Sequence, residues 1–284
     1  MGLVSVKEIL ADAKARSYAV GAFNLNNMEI LQAIIEAAAA ERAPVILQAS
    51  QGGIKYAGLE YIAAMAKVAA EQVSVPVALN LDHGTSFEQA VRCIRNGFSA
   101  VMIDGSRHPF AENVAICQQV VAAAHPVGVS VEGELGKIGG TEDDISVAEK
   151  DAMLADPDEV ASFVEQTQVD CLAVAIGTAH GVYHGTPHLD FDRLSKISGL
   201  VDIPLVLHGA SGVGDEDIKR AVARGICKIN IDTELRQAFS GAVREQLAAD
   251  PAQIDPRKIL GPARDDMRAV VVRKMRLFGC SQKA

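Results

Sequence analysis

The chain has 284 residues, of which 49% are hydrophobic, and a formal net charge of −9 at pH 7. This length fits one large α/β domain or two smaller ones, with enough apolar residues for a buried core. The acidic balance argues against nucleic acid or a membrane surface as a partner, because binding to either needs basic patches.

The five cysteines are widely spaced, and none forms a Cys-x-x-Cys pair. They are predicted to be reduced core residues rather than disulfide partners or thiolate zinc ligands: Cys93, Cys117, Cys171, Cys227 and Cys280. The N-terminal residues have no apolar signal core, and no apolar run approaches the ~18 residues of a membrane span. We therefore expect a cytoplasmic protein.

Short β-rich runs alternate with longer amphipathic stretches along the chain. The predicted strands are 19–24, 45–49, 77–82, 100–104, 129–134, 171–176, 204–208 and 226–231. Predicted helices between them include 28–42, 56–72, 87–96, 157–166 and 216–224. Near-continuous apolar strands separated by helices indicate an α/β fold with a parallel sheet. Eight such units predict a single (β/α)8 TIM barrel over residues 1–284. An open doubly wound sheet is the alternative, although no Gly-x-Gly-x-x-Gly turn follows the first strand.

Two segments depart from this alternation. Residues 136–150 are glycine-rich and acidic with neither a helical nor a strand period, which predicts a long mobile loop that acts as a lid. After the eighth strand, residues 233–249 form a predicted long helix, and the prolines of 251–262 interrupt the pattern before a last helix at 263–278. Additional C-terminal helices, from about residue 233, therefore extend the barrel.

Three histidines stand at or just past the end of an apolar, strand-like run, and a glycine follows each of them: His83, His180 and His208. Glycine is favoured where backbone bends sharply or approaches a ligand closely. Imidazole nitrogen is a preferred zinc ligand, and three protein ligands with one open position describe a catalytic zinc site. If the strands lie side by side, the three histidines surround one ion.

In a barrel, active sites form at the carboxyl ends of the strands. Those ends carry metal ligands and acid/base groups: Asp82, His83, Asp104, Glu134, His180, His208 and Asn230. Residues two apart on a strand share a side, so Glu132 and Lys228 also point into the barrel. We predict that these two form a buried pair.

Two loops at the same face predict a phosphate site. Residues 209–212 (Gly-Ala-Ser-Gly) follow the seventh strand, and residues 230–233 (Asn-Ile-Asp-Thr) follow the eighth and open a helix. Barrel enzymes commonly bind phosphate there, because free N–H groups and the helix dipole favour an anion. Ser211 and Thr233 taken singly fit ordinary turn and cap positions equally well.

Zinc beside a phosphate site indicates carbonyl chemistry, since the metal can polarise a ketone while a neighbouring carbon–carbon bond breaks. Such a reaction needs a proton relay. Asp82 supplies one carboxylate for it. Glu142, in the acidic segment, is either a second one or a solvated loop charge.

Seven motifs spread over the chain point to one family: residues 18–24 (YAVGAFN), 81–84 (LDHG), 131–136 (VEGELG), 139–143 (GGTED), 176–181 (IGTAHG), 207–212 (LHGASG) and 228–233 (KINIDT). On these motifs the chain resembles the class II, zinc-dependent ketose-bisphosphate aldolases along essentially its whole length.

The resemblance implies a zinc ion on His83, His180 and His208. It implies that Asp82 handles the proton of the C4 hydroxyl and that Glu142 is the mobile-loop acid. Asp104 and Glu134 match positions of a second divalent metal or an alternative zinc position. Residues matching the substrate site are Ser50, Gly181, Gly209, Ala210, Ser211, Asn230, Ile231, Asp232 and Thr233. A monovalent cation (Na⁺ or K⁺) near the phosphate is also implied.

Sugar choice depends on residues near the end of this set. Asp232 is typical of fructose-bisphosphate members, whereas several tagatose-type relatives have alanine. Arg236 matches an arginine that contacts the far phosphate in fructose-type relatives. His184 stands where those enzymes often have a phosphate-contacting lysine, which is a departure from the pattern.

The predicted reaction is therefore reversible cleavage of fructose 1,6-bisphosphate, a glycolytic step, to dihydroxyacetone phosphate and glyceraldehyde 3-phosphate. Tagatose-bisphosphate aldolase is the closest alternative. A metal-independent Schiff-base aldolase using Lys228 and a non-enzymatic metal-binding protein are two others. Three histidines also accept cobalt or iron. We expect a homodimer or homotetramer.

Overall fold

The computed structural model describes residues 2–142, 145–148, 152–183 and 185–284, with the side chains of 142, 145 and 146 excepted. The strands are β1 Val20–Asn24, β2 Val45–Ser50, β3 Val77–Gly84, β4 Ala100–Ile103, β5 Ser130–Leu135, β6 Gly139–Glu142, β7 Ile145–Val147, β8 Cys171–Val174, β9 Ala179–His180, β10 Leu205–Leu207 and β11 Ile226–Ile231. The helices are α1 Val6–Ala15, α2 Met28–Glu41, α3 Gln51–Ala57, α4 Leu59–Glu71, α5 Phe87–Arg95, α6 Phe110–Ala124, α7 Pro157–Thr167, α8 Phe191–Ser198, α9 Asp215–Val222, α10 Thr233–Ala249 and α11 Pro256–Leu277.

Eight parallel strands close into a barrel in the order β1-β11-β10-β8-β5-β4-β3-β2. Closure is made where β1 pairs with β11, with Val20 opposite Lys228. The predicted TIM barrel is confirmed, and the open-sheet alternative is wrong. Each of the eight predicted strands is present, with bounds that differ by at most two residues from those expected.

Strand register brings polar side chains together inside the barrel. Asn24 on β1 is the Cα partner of Gln48 on β2, which in turn is the partner of Asn80 on β3. All three are buried. Because neighbouring partners in a parallel sheet point to the same side, these amides face inward side by side. The barrel interior is thus polar at this level of the strands.

Two helix predictions need correction. The predicted helix 56–72 is two helices, α3 and α4, separated at Gly58, whose φ of +89° ends the first helix. The last helix begins at Pro256 rather than 263, and Pro262 lies inside it. Pro262 removes one helical hydrogen bond, but Gly261 before it has no Cβ to crowd the proline ring. Packing of α11 against α2 and α10 holds the helix together across this point.

The expectation of a loop without strands at residues 136–150 is also wrong. β6 pairs antiparallel with β7, and on its other side it pairs parallel with β9 through Gly140 and His180. The partner strand β9 comes from much later in the chain, so the local sequence pattern does not reveal it. Residues 143–144 and 149–151 lie outside the described part, and the lid remains a prediction.

All five cysteines are buried and unpaired by disulfides, as predicted. Among the described helices, none combines the length and the apolar character needed to cross a membrane.

Candidate active site

Three imidazole rings converge at the carboxyl end of the barrel. The ring centroid of His83 lies 4.9 Å from that of His180 and 4.7 Å from that of His208. One nitrogen from each ring lies within 4.8 Å of the others, which is the spacing of ligands around a single ion. His83 has a φ of 46°. This left-handed backbone is costly for a residue with a Cβ and is typical of functional positions.

His208 is oriented by the buried carboxylate of Glu132. His208 Nε2 lies 2.8 Å from Glu132 Oε1, while His208 Nδ1 lies 2.9 Å from His83 Nε2. Glu132 Oε2 in turn accepts from Lys228 Nζ at 2.8 Å, which confirms the predicted buried pair. Burial alone would raise the pKa of Glu132, but the Lys228 charge and the His208 hydrogen bond outweigh it and lower this pKa to about 2.

This arrangement bears on the Schiff-base alternative. Lys228 is fully buried, and its ammonium contacts Glu132 beneath His208. An amine that attacks a sugar carbonyl must reach the substrate pocket. Because Lys228 is fully buried and its ammonium is paired with Glu132, the structure disfavours the alternative.

A second group of possible metal ligands shares His83. His83 Nδ1 lies 3.3 Å from Asp104 Oδ2 and 4.0 Å from Glu134 Oε2. Burial favours the protonated form of Asp104, but His83 and the Ser106 hydroxyl, which donates at 2.6 Å, hold its pKa below the usual range. Burial first, and then the charge of Asp104, raise the pKa of Glu134 well above its usual value.

The donor set fits a divalent cation. Glu134 Oε2 is buried and has no hydrogen-bond partner among the described residues. A buried carboxylate oxygen without a partner is costly, and a cation is one group that satisfies it. Together with His83 and Asp104, this oxygen makes a nitrogen–oxygen donor set of the kind that zinc and related metals accept.

Asp82 is fully buried and held by two amides. Asn24 donates its Nδ2 hydrogen to Asp82 Oδ2 at 2.8 Å, and Asn230 donates to Asp82 Oδ1 at 3.3 Å. Gln48 fixes the orientation of the Asn24 amide by donating to Asn24 Oδ1 at 2.7 Å. Ser50, the register partner of Asp82 on β2, lies beside it and caps α3 by accepting from Gly53 N at 3.1 Å.

Asn24 and Gln48 were not predicted as parts of this site. Gln48 shares strand parity with Ser50 on β2 and so could have been predicted, whereas on β1 Asn24 shares parity only with the apolar Val20 and Ala22.

A small pocket combines the two predicted phosphate loops. Its lining residues are Thr141, His180, Gly181, Gly209, Ser211, Asn230, Asp232, Thr233 and Arg236. His180 also belongs to the histidine cluster, so the pocket and the cluster share a wall. Ala210 is buried beside these lining residues, and so is Ile231. His184 lies outside the described residues, as does the side chain of Glu142, whose backbone is the last residue of β6. Thr141 was not predicted.

Tyr183, which was not predicted either, joins the segment before His180 to the loop after His208. Its hydroxyl donates to Gly209 O at 2.9 Å and accepts from Ala179 N at 2.7 Å. Gly209 has a φ of +63°, and a Cβ on it would lie 2.5 Å from Ala179 O. Only glycine fits there, which explains the glycine after His208.

The opening turn of α10 forms another wall. Arg236 donates to Asp232 through Nε at 2.8 Å, and its Nη2 lies 2.7 Å from the second oxygen of Asp232. Ser211 Oγ accepts from Asp232 N at 3.4 Å and from Glu234 N at 3.5 Å. Arg236 therefore lies in the same pocket as Ser211, paired with Asp232. Whether it contacts the far phosphate stays a prediction.

Comparison with known proteins agrees with this geometry. The family model described as fructose-bisphosphate aldolase class-II matches residues 4–283. The chain belongs to the class II fructose-bisphosphate aldolase family. This member is 52% identical over 287 residues to the fructose-bisphosphate aldolase of Geobacillus stearothermophilus, with 100% of this chain and 99% of the relative covered.

Two further relatives support the family and the fold. A probable fructose-bisphosphate aldolase of Bacillus subtilis (strain 168) is 50% identical over 287 residues, and each chain is covered to 100%. The crystal structure of the YdjI aldolase from Escherichia coli K12 matches with a TM-score of 0.88 at 35% identity, covering 99% of both chains. The resemblance drawn from the seven motifs is therefore confirmed.

Proposed function

We propose that this class II aldolase cleaves fructose 1,6-bisphosphate reversibly to dihydroxyacetone phosphate and glyceraldehyde 3-phosphate, with a divalent metal. One observation carries the proposal: His180 belongs both to the three-histidine cluster and to the phosphate pocket. A phosphorylated ketone bound in the pocket would have its carbonyl close to the histidines. This is the arrangement that aldol cleavage of a ketose phosphate requires.

His83, His180 and His208 would hold Zn²⁺, and His83 with Asp104 and Glu134 offers a position for a second divalent metal. When bound, zinc supplies Lewis-acid polarisation of the substrate carbonyl. Cobalt and iron suit the same nitrogen donors. A monovalent cation, Na⁺ or K⁺, would lie near the phosphate pocket.

The residues of the pocket bind the phosphate of the dihydroxyacetone-phosphate end. The N-terminal turn of α10 lines the pocket through Thr233 and Arg236, and the dipole of this helix favours an anion there. Gly181 and Gly209 let the backbone approach the ligand closely, while Ser211 and Thr233 offer hydroxyl groups. Holding the phosphate here orients the ketone toward the histidines.

Asp82 takes the proton of the C4 hydroxyl as the C3–C4 bond breaks. Asn24 and Asn230 each donate to one oxygen of this carboxylate, so it faces the substrate as an acceptor. Glu142 then gives a proton to C3 of the three-carbon product. Glu142 is the last residue of β6 and directly follows Thr141, which lines the phosphate pocket.

Fructose rather than tagatose 1,6-bisphosphate is proposed as the substrate because Asp232 and Arg236 match the fructose-type pattern, and the relatives are named for fructose bisphosphate. A cytoplasmic, glycolytic homodimer or homotetramer is proposed with it. Residues 233–278 would pack against the neighbouring subunit.

A coupled assay on both sugars tests the function. The purified protein, supplied with zinc, should release triose phosphates from fructose 1,6-bisphosphate faster than from tagatose 1,6-bisphosphate. The reverse preference would reassign the substrate, and no cleavage of either sugar would overturn the proposal.

A further inference from the structure

A carboxylate at the start of α10 connects the phosphate pocket to the last helix of the chain. Glu234 Oε1 accepts from Gly212 N at 2.8 Å, and Gly212 directly follows Ser211 of the pocket wall. The same carboxylate forms ion pairs with two cationic side chains of α11. Lys274 Nζ lies 2.6 Å from Oε1, and Arg273 Nη2 lies 2.9 Å from Oε2. Lys274 is only 2% exposed.

The charges around the pocket explain why two cations matter. Among the described lining residues, the carboxylate of Asp232 and the guanidinium of Arg236 form an ion pair, so their charges cancel. Glu234 adds one negative charge next to the pocket. Lys274 and Arg273 add two positive charges through their contacts with it. Glu234, Lys274 and Arg273 together therefore leave one net positive charge on this side of the pocket, and a phosphate dianion is attracted by that charge.

The same contacts hold the loop in position. Glu234 receives the Gly212 N–H through its side chain, while its own backbone N–H points to Ser211 Oγ at 3.5 Å. The loop 209–212 is thus joined to the first turn of α10 at two successive residues. Lys274 is buried and restrains Glu234, so the geometry of the loop depends on α11.

We propose that Lys274 and Arg273 are positioning residues for phosphate binding, which act through Glu234 by holding the loop and by supplying the net positive charge. This inference rests on the proposed function, because the pocket is taken as the phosphate site. It assigns the C-terminal helix α11 a role in substrate affinity as well as in packing.

The test measures binding of inorganic phosphate by calorimetry to the zinc-loaded enzyme, and its inhibition of sugar cleavage, in Lys274→Met and Arg273→Gln. Each variant should weaken phosphate binding by about three- to tenfold at low salt, and less at high salt. KM for the sugar bisphosphate should rise by a similar factor, while kcat and zinc content stay unchanged. A purely structural role for these cations would not separate KM from kcat.

Arg276→Met is the matched control. Arg276 lies on the same helix and pairs with Glu41 of α2, with Nη2 at 2.6 Å from Oε1, away from the pocket. This variant should lose stability but keep the phosphate affinity of the unmodified enzyme. A loss as large as that of Lys274→Met would mean that any weakening of α11 affects the pocket, and would overturn the proposal.

A double variant separates charge from packing. Lys274→Met leaves Glu234 and Arg273 with no net charge, whereas adding Glu234→Gln restores a net charge of plus one. Phosphate affinity should therefore be higher in the double variant than in Lys274→Met alone, and the electrostatic account is wrong if it is not. If Lys274→Met does not fold, Arg273→Gln still tests the proposal. The Arg273 side chain is 58% exposed, so its replacement should not prevent folding.

Failure of this inference is distinguishable from failure of the proposed function. If the unmodified enzyme cleaves the sugar and binds phosphate, and both single variants bind phosphate equally well, only the role of α11 is refuted. If the unmodified enzyme neither cleaves the sugar nor binds phosphate, the proposed function fails as well.

Discussion

Glu132 and Lys228 meet in the middle of the barrel, where the ammonium donates to Oε2 across 2.8 Å while the other oxygen of the carboxylate faces His208 Nε2. A carboxylate that accepts the N–H of one imidazole nitrogen fixes the tautomer of that histidine. The other imidazole nitrogen can then bind a metal. Lys228 supports this by occupying the remaining oxygen of Glu132. With a metal on the histidines, the pair would link barrel stability to metal binding.

Lys228→Met is expected to weaken zinc binding by about 10- to 100-fold, because Glu132 loses the partner that holds it against His208. Competition between the enzyme and a chelator of known affinity measures the change. Lys274→Met is the control, since it removes a buried lysine from another ion pair with a glutamate. Unaltered zinc affinity and stability in Lys228→Met would refute the role of the pair.

The two proposed proton-transfer residues should affect different steps. Glu142→Ala should slow exchange of the C3 proton of dihydroxyacetone phosphate with solvent by about 10²- to 10⁴-fold. Asp82→Ala should leave that exchange and the zinc content intact but abolish most sugar cleavage. Proton exchange followed by NMR, beside a cleavage assay, measures both. Exchange that continues in Glu142→Ala would show that this residue is only a loop charge.

Glu41 predicts a pH-dependent contribution to stability. Hydrogen bonds from Arg276 lower its pKa below 4.5 against the opposing effect of burial, and the Ser281 hydroxyl helps. Since the folded-state pKa lies below the unfolded one, this stabilisation is complete above the unfolded pKa and is lost as pH falls through the folded pKa. Glu41→Gln should therefore lower Tm at pH 7 and lower it by a smaller amount at pH 3.5. Scanning calorimetry with the exposed Glu165→Gln as control measures this, and an equal loss at both pH values would contradict it.

The thiols should be inert in the folded protein. Burial raises the pKa of Cys93 and of Cys117 to about 12, and that of Cys227 to about 11. At pH 8 a thiol of pKa 12 is thiolate in a fraction of roughly 10⁻⁴ of molecules. A disulfide reagent should therefore modify none of the five cysteines rapidly until denaturant is added, when all five should react. Fast labelling of the native protein would contradict the burial of these side chains.

The barrel and much of the site were predictable because their signals are local and periodic. Apolar runs mark the strands, and strand parity alone places Glu132 and Lys228 in the interior. Gly209, which follows His208, also indicates a turn from the sequence alone. The structure explains why it is glycine, because a side chain there would collide with Ala179. Once the strands close into a barrel, their carboxyl ends lie together, so the side chains at those ends are brought to one site.

What sequence reasoning missed depends on contacts between distant parts of the chain. The pairing of Gly140 with His180 forms a sheet from segments 40 residues apart, so residues 136–150 lack a local strand pattern. The contact between Glu234 and Lys274, also 40 residues apart, leaves no periodic mark either. Pro262 inside α11 is tolerated because tertiary packing outweighs the local cost of proline.

We propose that the histidine cluster holds a metal that sugar cleavage requires. Cleavage of fructose 1,6-bisphosphate should be measured after chelation and again after stoichiometric zinc is returned. We expect turnover to be lost on chelation and regained with zinc in the unmodified enzyme, and not regained in His208→Ala. Full turnover in the presence of the chelator, with covalent trapping of substrate by borohydride, would contradict the account.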